Sequence, residues 1–172
     1  FIWWELRTDA PMLDLRLFKG RTFTFGVSAA FLTFLGSSAV LFMMPFYMQN
    51  VLGYSAKTAG FVVVPGALCM AVLGTVSGVL SDRFGRRPFT VGGLACSATG
   101  LMILARVTED SSLFMVVPAL MLMNTGMGIF YSPNSSSVMS TVTQAKYGVV
   151  SGFLNLVRNA ANVTSTVAPY EL

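Results

Sequence analysis

Histidine is absent from the 172 residues, and there are only two cysteines, Cys69 and Cys96. Both cysteines lie inside apolar runs, so they read as small core residues. Neither a disulfide framework nor a zinc site is supported. Charge is scarce too: 10% of residues are charged, where soluble domains carry about 25%. None of the acids falls inside an apolar run. Glu5, Asp9, Asp14, Asp82, Glu109, Asp110 and Glu171 all lie in connecting segments or at the ends. No nucleophile–base pair, metal cluster or phosphate loop can be assembled, which argues against an enzyme and against any cofactor or metal. The net charge of +4 comes from basic residues in short loops. No basic face remains for a phosphate backbone, so nucleic acid is not an expected partner.

What is abundant is apolar surface. Hydrophobic residues make up 54% of the chain, more than a soluble core of this size can hide. The expected solvent is therefore a lipid bilayer. The runs predict an all-α membrane protein of about five transmembrane helices, at about 23–48, 58–80, 88–105, 112–138 and 148–168. Residues 1–22 read as a cytoplasmic connector, part of it an amphipathic helix along the headgroups. Trp3 and Trp4 suit an interfacial aromatic belt. The chain starts at Phe1 without a methionine, and residues 169–172 read as a truncated end, so a longer polypeptide is expected.

The densest charge cluster joins the second and third runs: Gly78-Val79-Leu80-Ser81-Asp82-Arg83-Phe84-Gly85-Arg86-Arg87. Two long apolar runs around a short basic connection predict a tight cytoplasmic turn, with Gly85 bending the backbone. The second run carries Ala67, Ala71, Gly74 and Gly78, a flat face allowing close helix approach. The fourth changes character at Asn124, Gly126, Gly128, Tyr131, Ser132, Pro133 and Asn134, so that half should face protein or water. Asn134-Ser135-Ser136 matches a glycosylation sequon but lies toward the cytoplasmic end and is discounted. In the last run Ser151, Asn155, Arg158, Asn159, Asn162 and Thr166 recur at spacings of three and four, which places them on one helical face. A span with a polar stripe and a central arginine should line a cavity.

Counting basic residues sets the orientation. Arg7, Arg16, Lys19, Arg21, Arg83, Arg86, Arg87 and Lys146 fall on one side, against Lys57 and Arg106 on the other. The positive-inside rule puts the larger group in the cytoplasm, and the first, third and fifth spans then run outward.

The pattern Gly78-x-Leu80-x-Asp82-Arg83-x-Gly85-Arg86-Arg87 resembles the loop signature of the major facilitator superfamily. Thr90 departs from that signature's final aliphatic position. Phe46 to Ser55, then Ala59-Gly60 and Pro65-Gly66, resemble the second half of the drug:proton antiporter branch with about fourteen spans. Gly126-x-Gly128 with Pro133, Gly148 to Gly152 with Asn155 and Arg158-Asn159, and Pro11 to Phe18 fit the same branch. Ala160, Ala161 and Asn162 stand where that branch usually continues with glycines, and the wording is closer to fungal members.

The resemblance implies most of one helical bundle of a proton-coupled efflux transporter of small organic compounds, working by alternating access. A missing N-terminal bundle of the same polypeptide and a small-molecule substrate are the implied partners. The coupling carboxylate would lie in the part not shown. The plasma membrane is the implied location, with a vacuolar membrane as the alternative. Gly78, Asp82, Arg83, Gly85, Arg86 and Arg87 would form the gate, Asp82 and Arg83 holding cytoplasmic helix ends together. A partly desolvated pair could supply ~2–3 kcal/mol. Asn155, Arg158, Asn159, Asn162 and Asn124 would face the cavity or the opposing bundle; a structural polar seam between helices is the alternative. A siderophore or sugar porter, or a truncated fragment that transports nothing, are competing readings. The sugar porter ranks lower because the first span lacks the Gln-Gln pair such porters carry.

Overall fold

The computed structural model describes residues 15–108, 111 and 113–167. Trp3, Trp4 and the connector to Asp14, the Glu109–Asp110 pair and residues 168–172 lie outside the described residues, as does the side chain of Thr166. Among the described residues the architecture is entirely helical. The long helices are α1 (Arg21–Phe46), α2 (Ala56–Phe84), α3 (Arg86–Leu104), α4 (Leu113–Met139) and α5 (Tyr147–Val167). Three stretches, Arg21–Val51, Ala56–Phe84 and Leu113–Met139, are long and apolar enough to cross a membrane by length and composition. With 19 and 21 residues, α3 and α5 reach about 28 and 32 Å, but glycine and polar residues dilute their apolar character.

Before α1, the described part of that connector begins with a 3-10 turn over Leu15–Lys19. It packs onto the bundle. The Phe18 ring meets Phe23 edge-on at 5.1 Å and Phe153 at 5.7 Å, and its carbonyl accepts a 2.6 Å hydrogen bond from the Thr24 hydroxyl. Aromatic pairs of this geometry fix the entry angle of the chain. At its far end α1 widens into a π-helical turn over Tyr47–Val51. Pro45 lies just before it, and the Gln49 side-chain amide donates to the Pro45 carbonyl at 3.1 Å. The chain then reverses through Gly53, whose φ is 67°, and Ser55 caps α2 by accepting from the Thr58 amide at 3.3 Å.

The basic connection is shorter than expected. Helix α2 continues through Asp82 and Arg83 to Phe84, and only Gly85 interrupts it before α3 begins at Arg86. Leu80 to Phe84 contain nothing that breaks a helix. At Gly85 φ is 93° and ψ is 147°, a region essentially closed to residues with a Cβ. Pro88 follows within the first turn of α3, where a missing N–H costs nothing.

Helix α4 is the central post. On one side α3 lies so close that the backbones touch: a Cβ on Gly126 would sit 2.2 Å from the Ser97 nitrogen, one on Gly93 2.6 Å from the Phe130 nitrogen, and one on Gly100 2.6 Å from the Met123 nitrogen. On another side α2 approaches through Gly66, Gly74 and Gly78, opposite Asn124, Gly128 and Ser132. Of the flat face expected on the second span, Gly74 and Gly78 pack against the glycine-rich half of the fourth, while Ala67 and Ala71 are exposed. Lipid is as apolar as leucine, so such backbone approach, rather than water exclusion, holds membrane helices together. Helix α5 packs mainly on α1. Its buried face is Val150, Ala161 and Ser165, flanked by Phe153, Leu154 and Val157.

Three apolar clusters stack along the bundle. Phe23, Val27, Val138 and Val150 fill the basic end. Phe34, Met127, Phe130 and Ala161 fill the middle. Met44, Met48, Leu120 and Met123 fill the opposite end. Large apolar side chains such as Phe25, Phe61, Phe84 and Phe114 point outward, as lipid-facing or partner-facing positions do.

The candidate substrate cavity and the basic turn

The polar stripe of α5 meets the middle of α1 and α4. There a cavity of about 320 Å³ opens, and Asn124, Arg158, Asn159 and Asn162 all line it. Ser37 and Ser38 of α1 complete its polar wall. Ser38 donates its hydroxyl to the Asn162 side-chain oxygen, which ties α1 to α5. Asn124 donates to its own helix, at the Leu120 carbonyl 2.9 Å away. The apolar wall is Phe34, Leu41, Met70, Met123 and Met127. Three of those five are methionines, whose unbranched thioethers adapt to ligands of different shape.

Arg158 has no ion-pair partner among the described residues, and it is half-buried. Ser37 is 5% exposed, and its hydroxyl has no hydrogen-bond partner. The fifth residue expected at the cavity or the opposing bundle, Asn155, does not line the cavity. It is exposed, and its amide folds back on the Ser151 carbonyl at 3.1 Å. Asn134, by contrast, is structural. It is buried and donates to the Gly26 carbonyl at 3.1 Å, joining α4 to α1. The two serines were missed in the sequence because hydroxyls barely dent the hydropathy of a span. Their adjacency in the middle of a long uncharged run was the only signal.

At the basic end, the Arg86 guanidinium stands 4.0 Å from the Asp82 carboxylate. It also donates to the Ser136 carbonyl at 3.1 Å. One side chain thus joins the ends of α2, α3 and α4. The partner of Asp82 here is Arg86 rather than Arg83: the turn at Gly85 brings the start of α3 back beside the end of α2. The Asp82 and Arg86 side chains are 68% and 39% exposed. A pair this open to solvent is worth ~0–1 kcal/mol, well under the value expected for a desolvated pair. Gly78 makes a packing contact: a Cβ there would lie 2.7 Å from the Ser132 hydroxyl. Arg83 and Arg87 are exposed.

Arg21 and Arg87 share a second cavity of about 390 Å³ between α1 and α3, so the basic residues do gather at one end. Sidedness is checked by replacing Phe84, 73% exposed, with cysteine after Cys69 and Cys96 have been changed to alanine. A membrane-impermeant maleimide is expected to label it from the cytoplasmic side alone; labelling from outside would reverse the topology.

Residues 4–166 match the family description Major Facilitator Superfamily. The chain belongs to that superfamily. It is a transporter family rather than an enzyme family, and the chain is an all-α, integral-membrane member of it. Over 162 residues it is 30% identical to the riboflavin transporter RibZ of Clostridioides difficile, covering 94% of this chain and 36% of that one. It is 24% identical to the lincomycin resistance protein LmrB of Listeria monocytogenes, covering 96% and 35%. It is 28% identical to the multidrug efflux pump LfrA of Mycolicibacterium smegmatis, covering 88% and 30%. The chain thus spans about a third of the length of the curated relatives it matches. The fungal character expected from the wording has no counterpart among these three, which are bacterial.

Proposed function

We propose that this transporter belongs to the drug:proton antiporter branch with about fourteen spans and moves small organic compounds outward across the plasma membrane by alternating access. The observation that carries this reading is the mid-bundle cavity, where a polar stripe with one arginine faces a methionine-rich wall. Polar groups at membrane depth are costly, and they mark substrate or ion pathways. Relatives named for lincomycin resistance and multidrug efflux support export of varied compounds. The relative named as a riboflavin transporter favours a second reading, a porter for one polar metabolite in the same superfamily.

In the first reading the N-terminal bundle of the same polypeptide closes the cavity from the other side and supplies the coupling carboxylate. The turn at Asp82, Gly85 and Arg86 acts as the cytoplasmic gate. The test uses inside-out vesicles carrying the whole polypeptide and offered fluorescein, lincomycin or riboflavin. With an acid-inside gradient, fluorescein or lincomycin should accumulate, and a protonophore should abolish it. Movement of riboflavin alone selects the second reading. Accumulation indifferent to the protonophore overturns proton coupling, and movement of none of the three overturns transport of these classes.

A further inference from the structure

Arg158 brings a permanent positive charge into the middle of a helix. No carboxylate balances it among the described residues, whose one acid, Asp82, stands beside Arg86 at the basic end of α2. A guanidinium away from water is stable when an acceptor takes its five N–H groups. We propose that the acceptor is the transported compound, and that the cavity recognises organic anions with an apolar, preferably aromatic body. This rests on the cavity being the substrate site and adds the class of substrate.

A second observation points the same way. Ser37 is nine-tenths buried on the cavity wall, and its hydroxyl is unpaired. A buried hydroxyl without a partner carries a desolvation penalty that a polar ligand atom removes. The two groups together ask for a ligand with oxygen acceptors. Phe34, Met70, Met123 and Met127 take the rest of it, since ring faces pack well on thioethers and on another ring. A cationic amphiphile would bring like charge against Arg158 at short range and low dielectric. Carboxylates and other planar oxyanions match the guanidinium fork.

The experiment is a binding titration in detergent with the whole polypeptide and a probe pair of nearly equal shape, naphthalene-2-carboxylate and naphthalene-2-carboxamide. At neutral pH the carboxylate should bind at least about tenfold more tightly. That preference should vanish as pH falls through the probe's own pKa, about 4 for a carboxyl group. Arg158→Gln should abolish the preference while leaving binding of the amide. Arg158→Lys should keep part of it, as a point charge without the fork. Ser37→Ala should weaken both probes several-fold. Where Arg158→Gln does not fold, the pH titration of the unaltered protein decides the matter.

Equal affinity for the two probes, or binding of neither, overturns the proposal. Equal affinity with a large loss of thermal stability in Arg158→Gln would assign the counter-charge to a carboxylate elsewhere in the polypeptide. The broader reading fails separately: vesicles that transport nothing while the charge preference persists would leave an anion-binding protein that is not a pump. Vesicles that transport normally with no charge preference would leave a pump without this selectivity.

Discussion

Gly126→Ala is expected to lower the thermal stability of the transporter by roughly 5 °C or more, while Gly92→Ala leaves it unchanged or slightly raised. The added methyl carbon at position 126 would lie 2.2 Å from the Ser97 nitrogen, 2.6 Å from the Gly93 carbonyl oxygen and 2.8 Å from the Ser97 Cα. All three are backbone atoms, so no side chain can swing aside. Helices α3 and α4 must separate, and the contacts at Gly93 and Gly100 loosen with them. Overpacking a tight interface costs about 1–3 kcal/mol, occasionally more. In lipid, no hydrophobic driving force recovers the lost packing.

Gly92 is the internal control. It neighbours Gly93 in the chain yet has nothing within 4 Å of an added Cβ, so alanine there brings only its better helix propensity, about 1 kcal/mol. Thermal unfolding in detergent, followed by loss of the monodisperse peak, reads both. Equal behaviour of the two variants would sink the claim that α3 and α4 meet backbone to backbone.

Asp82→Asn is expected to reduce transport by the complete protein tenfold or more, with normal amounts in the membrane. The contact with Arg86 cannot account for so much. At 4.0 Å and more than half exposed on the acid's side, it is worth ~0–1 kcal/mol, and a population shift of that size changes a rate by about fivefold at most. A tenfold loss would therefore require a second, better shielded partner for Asp82 than the one the described residues supply. Uptake into vesicles, normalised to protein by immunoblot, separates the outcomes. A loss of two- to fivefold would confine the role of Asp82 to the helix turn. Unchanged transport would remove the gate altogether. Arg86→Ala should be more damaging to stability than Asp82→Asn, because it also withdraws the donor to the Ser136 carbonyl.

The site was partly legible in the sequence, for identifiable reasons. Arg158, Asn159 and Asn162 reached the cavity because spacing along a helix is a local property, and polar residues at three and four apart must share a face. Asn155 belonged to the same stripe and missed the cavity, because a stripe wider than the neighbouring helix has an edge that only the neighbour sets. Asn124 lined the cavity and Asn134, ten residues on in the same helix, became an interhelical tie. Their local sequences give no means of telling them apart. Ser37 and Ser38 were invisible until α1 and α5 were placed side by side.

The basic turn shows the same division. Its glycine and charges were plain, but whether Leu80 to Phe84 would be loop or helix depended on what packed behind them. With Gly78 against Ser132 and Ser81 buried, the helix runs on and the turn shrinks to Gly85.

By itself the sequence determined the solvent, the helical class, the side on which the basic residues gather and the family. Each of these depends on composition, or on periodicity within one span. The tertiary structure decided which glycines are contacts, which asparagines face a cavity and which arginine answers Asp82. Those depend on the separation of residues far apart in the chain, and in a membrane that separation is set by backbone packing between helices, a quantity no single helix contains.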